Sequence, residues 1–203
     1  MNTTTKLDVV NALLSSIGED PINALGVGLE DATVAENIVD EVTRKVFVLG
    51  WSWNTNENMP ILRQTDNTIT VPSNFLSIDF HNPAYVLRGN RIYDRQNNTY
   101  VFESDISVNS VVIGLPWDEI PEVARQYILY CSGRIFQARQ VGSPVLFQFT
   151  LKDEQEAWVA LTGNEQETSN DSIFQNNELA VHMNRDAAQA FVDWPTGAVF
   201  GSS

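Results

Sequence analysis

Two spacings alternate along this chain, and the points where one gives way to the other divide it. Between residues 5 and 17, Leu7, Val10, Leu13, Leu14 and Ile17 recur at three- and four-residue intervals, which predicts an amphipathic helix stopped by Gly18. A loop containing Gly and Pro runs from Glu19 to Glu30. Ala35, Ile38, Val39, Val42, Val46 and Leu49 then repeat the helical interval, with Asp31 or Thr33 as the expected cap and Gly50 as the stop. From Trp51 to Pro116 the period drops to two. Ile69-Thr70-Val71, Tyr85-Val86-Leu87, Arg91-Ile92-Tyr93, Thr99-Tyr100-Val101-Phe102 and Ser110-Val111-Val112-Ile113 are β-branched or aromatic runs. Turn formers at Asp66-Asn67, Arg88-Gly89-Asn90 and Gln96-Asn97-Asn98 separate them, so a small antiparallel sheet is expected.

The helical period returns after Trp117. Asp118 is placed to cap a helix, Glu119 and Glu122 to meet the positive end of its dipole, and Pro121 to occupy the first turn, where a missing N–H costs nothing. Ile120, Ala124, Tyr127, Ile128, Cys131, Ile135 and Ala138 form one apolar stripe, with Arg125, Arg134 and Arg139 off it. Gly142 supplies a left-handed stop, Ser143 a cap and Pro144 the next helix start. So short a connection folds the second helix back antiparallel. In that last helix Leu146, Phe149, Ala157 and Ala160 mark one side, and Phe147, Leu151, Trp158 and Leu161 another. Either the helix is deeply buried in its own subunit or one side awaits a neighbour. Beyond Gly163, Asn, Gln, Glu and Ser dominate, with isolated Ile173, Phe174, Phe191, Trp194 and Phe200. Too little apolar area remains there to offset the entropy of ordering, so this tail is expected to fold on a partner.

These patterns predict an α+β protein. A discontinuous helical bundle takes residues 1–50 and 118–163, an inserted antiparallel β-module takes 51–117, and an extended docking tail takes 164–203.

Charge narrows the function. The 203 residues carry a net −14, of which residues 1–50 and 164–203 hold −5 each, and this argues against a nucleic-acid binder built on clustered Lys and Arg. No apolar run is long enough to span a bilayer, and Met1-Asn2-Thr3-Thr4-Thr5 lacks the segments of a secretion signal, so a cytoplasmic product without membrane contact is expected. The single cysteine, Cys131, excludes an internal disulfide and a cysteine-based zinc site, and its place on an apolar stripe reads as a small buried hydrophobe. His81 and His182 have no second ligand at a useful spacing, and Gly26-Val27-Gly28 lacks the further glycine of a phosphate loop. No metal or cofactor is expected. Asp118/Glu122 and Asp153/Glu156 are carboxylate pairs of the type a glycoside hydrolase uses, but a helix start explains the first pair and a solvated helix face the second.

Four stretches together resemble the tail tubular protein A family, the head-to-tail adaptors of short-tailed, podovirus-type bacteriophages. The first runs from Asp8 to Ile22 and contains Val10-Asn11, Ser16-Ile17-Gly18-Glu19 and Pro21. The second is Gly50-Trp51-Ser52-Trp53-Asn54, with Trp53 larger than the family's Phe. The third is Tyr93-Asp94-Arg95. The fourth is Asp118-Glu119-Ile120-Pro121-Glu122 with Arg125, followed by Ala138-Arg139 and Gly142-Ser143-Pro144. The sheet matches in patches and the tail not at all.

This resemblance implies a virion structural protein, made in the host bacterial cytoplasm, whose subunits form a dodecameric ring between the portal and the tail nozzle. Tail fibres attach near the lower edge, and DNA passes through without specific binding. The motifs it carries over are architectural: a helix stop at Gly18, an aromatic bridge at Trp51 and Trp53, and a helix cap at Asp118. In that setting Glu30, Asp31, Glu36, Asp40 and Glu41 become candidates for lining the channel, where their charge repels phosphate. Phe147, Leu151 and Trp158 become candidates for a subunit or portal contact, and Phe191, Trp194 and Phe200 for aromatic anchors in the portal. Self-repulsion predicts an isolated subunit that stays monomeric or weakly associated. The alternative from a different class is a phage-associated polysaccharide hydrolase using one of the carboxylate pairs.

Overall fold

The computed structural model describes residues 3–142 and 144–168, with side chains described outside 144–149 and 167–168. It is an α+β structure with helices α1 (Lys6–Ile17), α2 (Glu30–Val48), α3 (Glu122–Gln140) and α4 (Pro144–Thr168). Between α2 and α3 lie strands β1 (Thr55–Glu57), β2 (Pro60–Ile61), β3 (Phe75–Phe80), β4 (Tyr85–Arg88), β5 (Arg91–Asp94) and β6 (Ile106–Ile113).

Local chemistry sets the helix ends. Thr5 and Asp8 form a reciprocal capping box at the start of α1, and Gly18, at φ +87°, closes it with its N–H on Leu14 and Ser15 carbonyls. Neither Asp31 nor Thr33 caps α2. The helix starts earlier, with Leu29 at the cap position and no side-chain bond, because Glu30 and Asp31 in the first turn already answer the dipole; the Thr33 hydroxyl donates back to the Leu29 carbonyl. Asp118 does not cap α3 either. Ile120 precedes Pro121 and is held extended, so Trp117–Glu119 forms a separate 3-10 turn, Pro121 becomes the cap position outside the first turn, and α3 starts at Glu122. Gly142 does take the left-handed conformation, at φ +65°, with its N–H on the Gln137 carbonyl.

The apolar stripe of α3 holds at Ile120, Ala124, Tyr127, Ile128 and Cys131, all buried. It then turns: Phe136 is fully buried and Ala138 is exposed. Arg125, expected off the stripe, is also buried. The helix α4 runs antiparallel to α3, since Tyr127 meets Trp158 while Arg134 meets Glu154. Gly163 does not end it. The helix continues to Thr168 because Leu161 just before the glycine and Glu165 just after it are both buried, which outweighs the roughly 1 kcal/mol that a mid-helix glycine costs.

In the β-module, β6 is the central strand and pairs antiparallel with β1, β2 and β3, while β4 and β5 form a separate hairpin. The three sequence turns are real, with Asn67, Gly89 and Asn98 all at positive φ. Residues 69–71 and 99–102, expected as strands, make only isolated bridges such as Thr70 to Arg91 and Thr68 to Val101. Two clusters form the interior. One joins α1, α2, α3, α4 and Trp51; the other packs Ile61, Ile69, Val71, Ile92, Phe102, Val108 and Val111.

Candidate interaction surfaces

The residues that join bundle to module do so by hydrogen bonds at fixed points. Trp51 is buried and donates its indole N–H to the Val46 carbonyl at 2.8 Å, which folds the chain back on the end of α2. Gly50 makes this possible at φ +72°, where a Cβ would meet Val112 Cγ2 at 3.2 Å. Asn54 is the pin. Its amide nitrogen donates to the Phe47 carbonyl at 3.0 Å and the Ile113 carbonyl at 3.1 Å, and its oxygen accepts the Trp51 N–H at 2.8 Å. One buried side chain thus ties α2 to β6. Glu165 closes the seam from α4 by accepting the Ser52 N–H at 2.6 Å and the Ser52 hydroxyl at 2.9 Å.

At the start of α3 a second knot forms around Thr4. The Glu122 carboxylate accepts from its N–H and hydroxyl, while Trp117 Nε1 and Arg125 Nη1 both donate to its carbonyl at 2.9 and 3.2 Å. Arg125 Nη2 donates to the Asp118 carbonyl at 2.9 Å, so Asp118 serves through its backbone. Burial works to raise the Glu122 carboxyl, but the bonds from Thr4 and Gln126 outweigh it and hold it below the ordinary range.

Along the hairpin, Arg134 pairs with the buried Glu154 carboxylate, and Cys131 and Tyr127 lie beside them. Burial, with Glu154 adding to it, pushes the Cys131 thiol up to about 12 and the Tyr127 hydroxyl well above its usual value. A thiol so held is not a nucleophile at neutral pH.

The expected interface residues separate into three groups. Trp158 packs edge-on against Trp51, with ring centroids 5.6 Å apart, and tilted against Tyr127 at 5.1 Å, so one side of this half-buried ring rests on the subunit's own core. Leu151 is half-buried on the same helix. The side chain of Phe147, and Phe191, Trp194 and Phe200 entirely, lie outside the described residues. Trp53 stacks with Trp51 at 6.5 Å and meets Phe47 edge-on at 5.6 Å, and both tryptophans pack on the bundle's cluster.

Of the five acids, Asp40 is paired with Lys6 at 2.6 Å, and Glu41 with Lys45 at 2.8 Å and Arg139 at 3.4 Å. Asp31 accepts from Gln140 and Glu36 from the Gly26 N–H. Glu30 is exposed beside Glu19 and Asp20 on a cleft floored by Leu14, Ile22 and Ala32. Among the carboxylate pairs, Glu122 is committed to Thr4, and Glu156 lies exposed at 3.6 Å from Lys152. His81 is exposed, and among the described residues no group of His, Cys, Asp or Glu could hold a metal ion. No helix of the described residues is long and apolar enough to cross a membrane.

Sequence reading missed Asn54, Glu154 and Glu165 as joining residues. A signal existed for the last two: they are eleven positions apart with Ala157 and Leu161 between them, on one helix face. Residues 7–171 match the model of a family described as Tube: Tail tubular protein. No curated protein matches the chain.

Proposed function

This chain belongs to the tail tubular protein family and is a structural component of the phage virion tail, and on that footing we propose that it is the head-to-tail adaptor. In this reading, twelve subunits form a ring between portal and nozzle, tail fibres attach at its lower edge, and the genome leaves through its bore. The observation that carries it is the use made of the motif residues. Gly18, Trp51, Trp53, Asn54, Asp94, Arg125 and Gly142 are all engaged in helix ends, turns or the seam, as expected of a part whose work is to hold shape.

The channel wall in this proposal draws on the acids of α2. Asp40 and Glu41 are offset by bases of their own subunit, so Asp31 and Glu36 carry the repulsion toward DNA. The segment 164–203 contributes through residues beyond α4, with Phe191, Trp194 and Phe200 as anchors in the portal. No observation adds to the hydrolase alternative.

The test is to mix the purified full-length chain with its portal and follow it by sedimentation velocity and electron microscopy. Portal-dependent rings are expected, with the free chain monomeric or weakly associated. Failure to bind the portal, or absence of the chain from purified particles by mass spectrometry, overturns the adaptor reading.

A further inference from the structure

Among the described residues, the basic side chains of the helices are ion-paired except Arg44 on α2, whereas those of the β-module are not. All six ion pairs among the described residues lie within the helices, and they engage Lys6, Lys45, Arg125, Arg134, Arg139 and Lys152. The β-module has four arginines, Arg63, Arg88, Arg91 and Arg95, and among the described residues none of them is ion-paired. Three of the four, Arg88, Arg91 and Arg95, fall within residues 85–95, where Asp94 is the one acid, so positive charge is in excess at this hairpin.

Strand register concentrates it. Arg88 on β4 stands directly opposite Arg91 on β5, Tyr93 follows on the same face, and Arg95 lies in the turn just past the end of β5. The other face of the hairpin, with Tyr85, Leu87 and Ile92, packs into the module's core. Arg88 lies over the Tyr93 ring at 3.7 Å, Arg91 over Tyr100 at 4.8 Å, and the two rings meet at 4.8 Å. Arg95 donates to the Pro83 carbonyl and keeps its remaining donors. Like charges directly across a strand pair destabilise a hairpin, so folding alone gives no reason to oppose Arg with Arg. Stacking on tyrosine fixes the guanidinium planes while leaving their edges to solvent.

The complementary surface sits at the far end of the same subunit. Glu19, Asp20 and Glu30 are exposed on the α1–α2 cleft, and among the described residues their carboxylates make no ion pair or hydrogen bond. The 19 residues of α2, about 28 Å of helix, run from this cleft to the β-module, so the two surfaces cannot meet within one subunit. Two different patches on one chain that fit each other make a heterologous contact, the type a ring requires.

We propose that Arg88, Arg91 and Arg95 of one subunit dock against Glu19, Asp20 and Glu30 of the next copy. This rests on the ring reading above and supplies its subunit contact. It offsets part of the self-repulsion of an acidic chain, and it makes association sensitive to salt.

The experiment uses three full-length proteins: wild type, R88E/R91E/R95E, and E19K/D20K/E30K. Each is followed by sedimentation equilibrium alone, in an equal mixture of the two variants, and on portal-containing particles, with thermal melts to show that each is folded; R88Q/R91Q/R95Q replaces the reversal if that one does not fold. Each variant alone should associate at least about tenfold more weakly than wild type, and the mixture should recover. Wild-type association that survives both reversals unchanged overturns the inference and leaves the ring standing. No ring in any setting removes the ring reading and this contact with it. Loss of duplex DNA retention in the arginine variant, with subunit association unchanged, would reassign the face to nucleic acid and overturn the proposal.

Discussion

Among the described residues, twenty-one buried ones share one core in the helical bundle, whereas the β-module closes around seven. The bundle's helices bury stripes that recur every turn, so its order comes mainly from apolar area. The module's seven residues are gathered by one strand, β6, that serves three partners, and by turns built on Asn and Gly. So small a core supplies marginal stability by itself. The lesson is that the module is an appendage whose order depends on the seam with the bundle, and Asn54 and Glu165 are what transmit it.

Substitutions can break this contrast or sharpen it. Trp51→Ala removes a buried aromatic from the bundle side of the seam and should cost about 4 kcal/mol in equilibrium denaturation, with both modules lost together. Asn54→Ala removes two buried hydrogen bonds and one part-buried one and should cost about 3 kcal/mol; it should also split a single unfolding transition into two, and a transition that stays single would show the module does not lean on this residue. Trp158→Ala, at a half-buried ring shared with Trp51 and Tyr127, should lower subunit stability by about 2 kcal/mol before any effect on assembly is read.

Smaller effects belong to the helix ends. Thr5→Ala should cost about 1 kcal/mol at neutral pH. Hydrogen bonds from Thr5 hold the Asp8 carboxyl below its usual range. A lowered carboxyl adds stability above its unfolded pKa and loses it as pH falls through the folded value, so this variant should show a shallower acid limb than wild type. Lys45→Ala, which breaks an exposed pair with Glu41, should change stability by less than about 0.5 kcal/mol.

The same contrast explains what could be read from the sequence. Helices α1 and α2, the Gly18 and Gly142 stops, and the turns at Asn67, Gly89 and Asn98 all follow from neighbours within a few residues. Strand β3 did not, because irregularities after Phe75 and Asp79 shift its pairing and spoil the two-residue alternation that would have marked it. Asp118 looked like a cap because Asp caps helices; the extended residue ahead of Pro121 decided otherwise. Arg125 looked like a surface residue until Thr4 and Asp118, far apart in sequence from each other, supplied carbonyls for it. The arginine face of the hairpin was invisible until register put Arg88 beside Arg91.

The chain's one thiol is sealed between α3 and α4 with its proton firmly held. A cysteine engineered at any exposed position would therefore be the sole handle for maleimide chemistry in the folded subunit. Paired spin labels or fluorophores attached this way would report distances between neighbouring copies inside an intact particle, with no background to subtract.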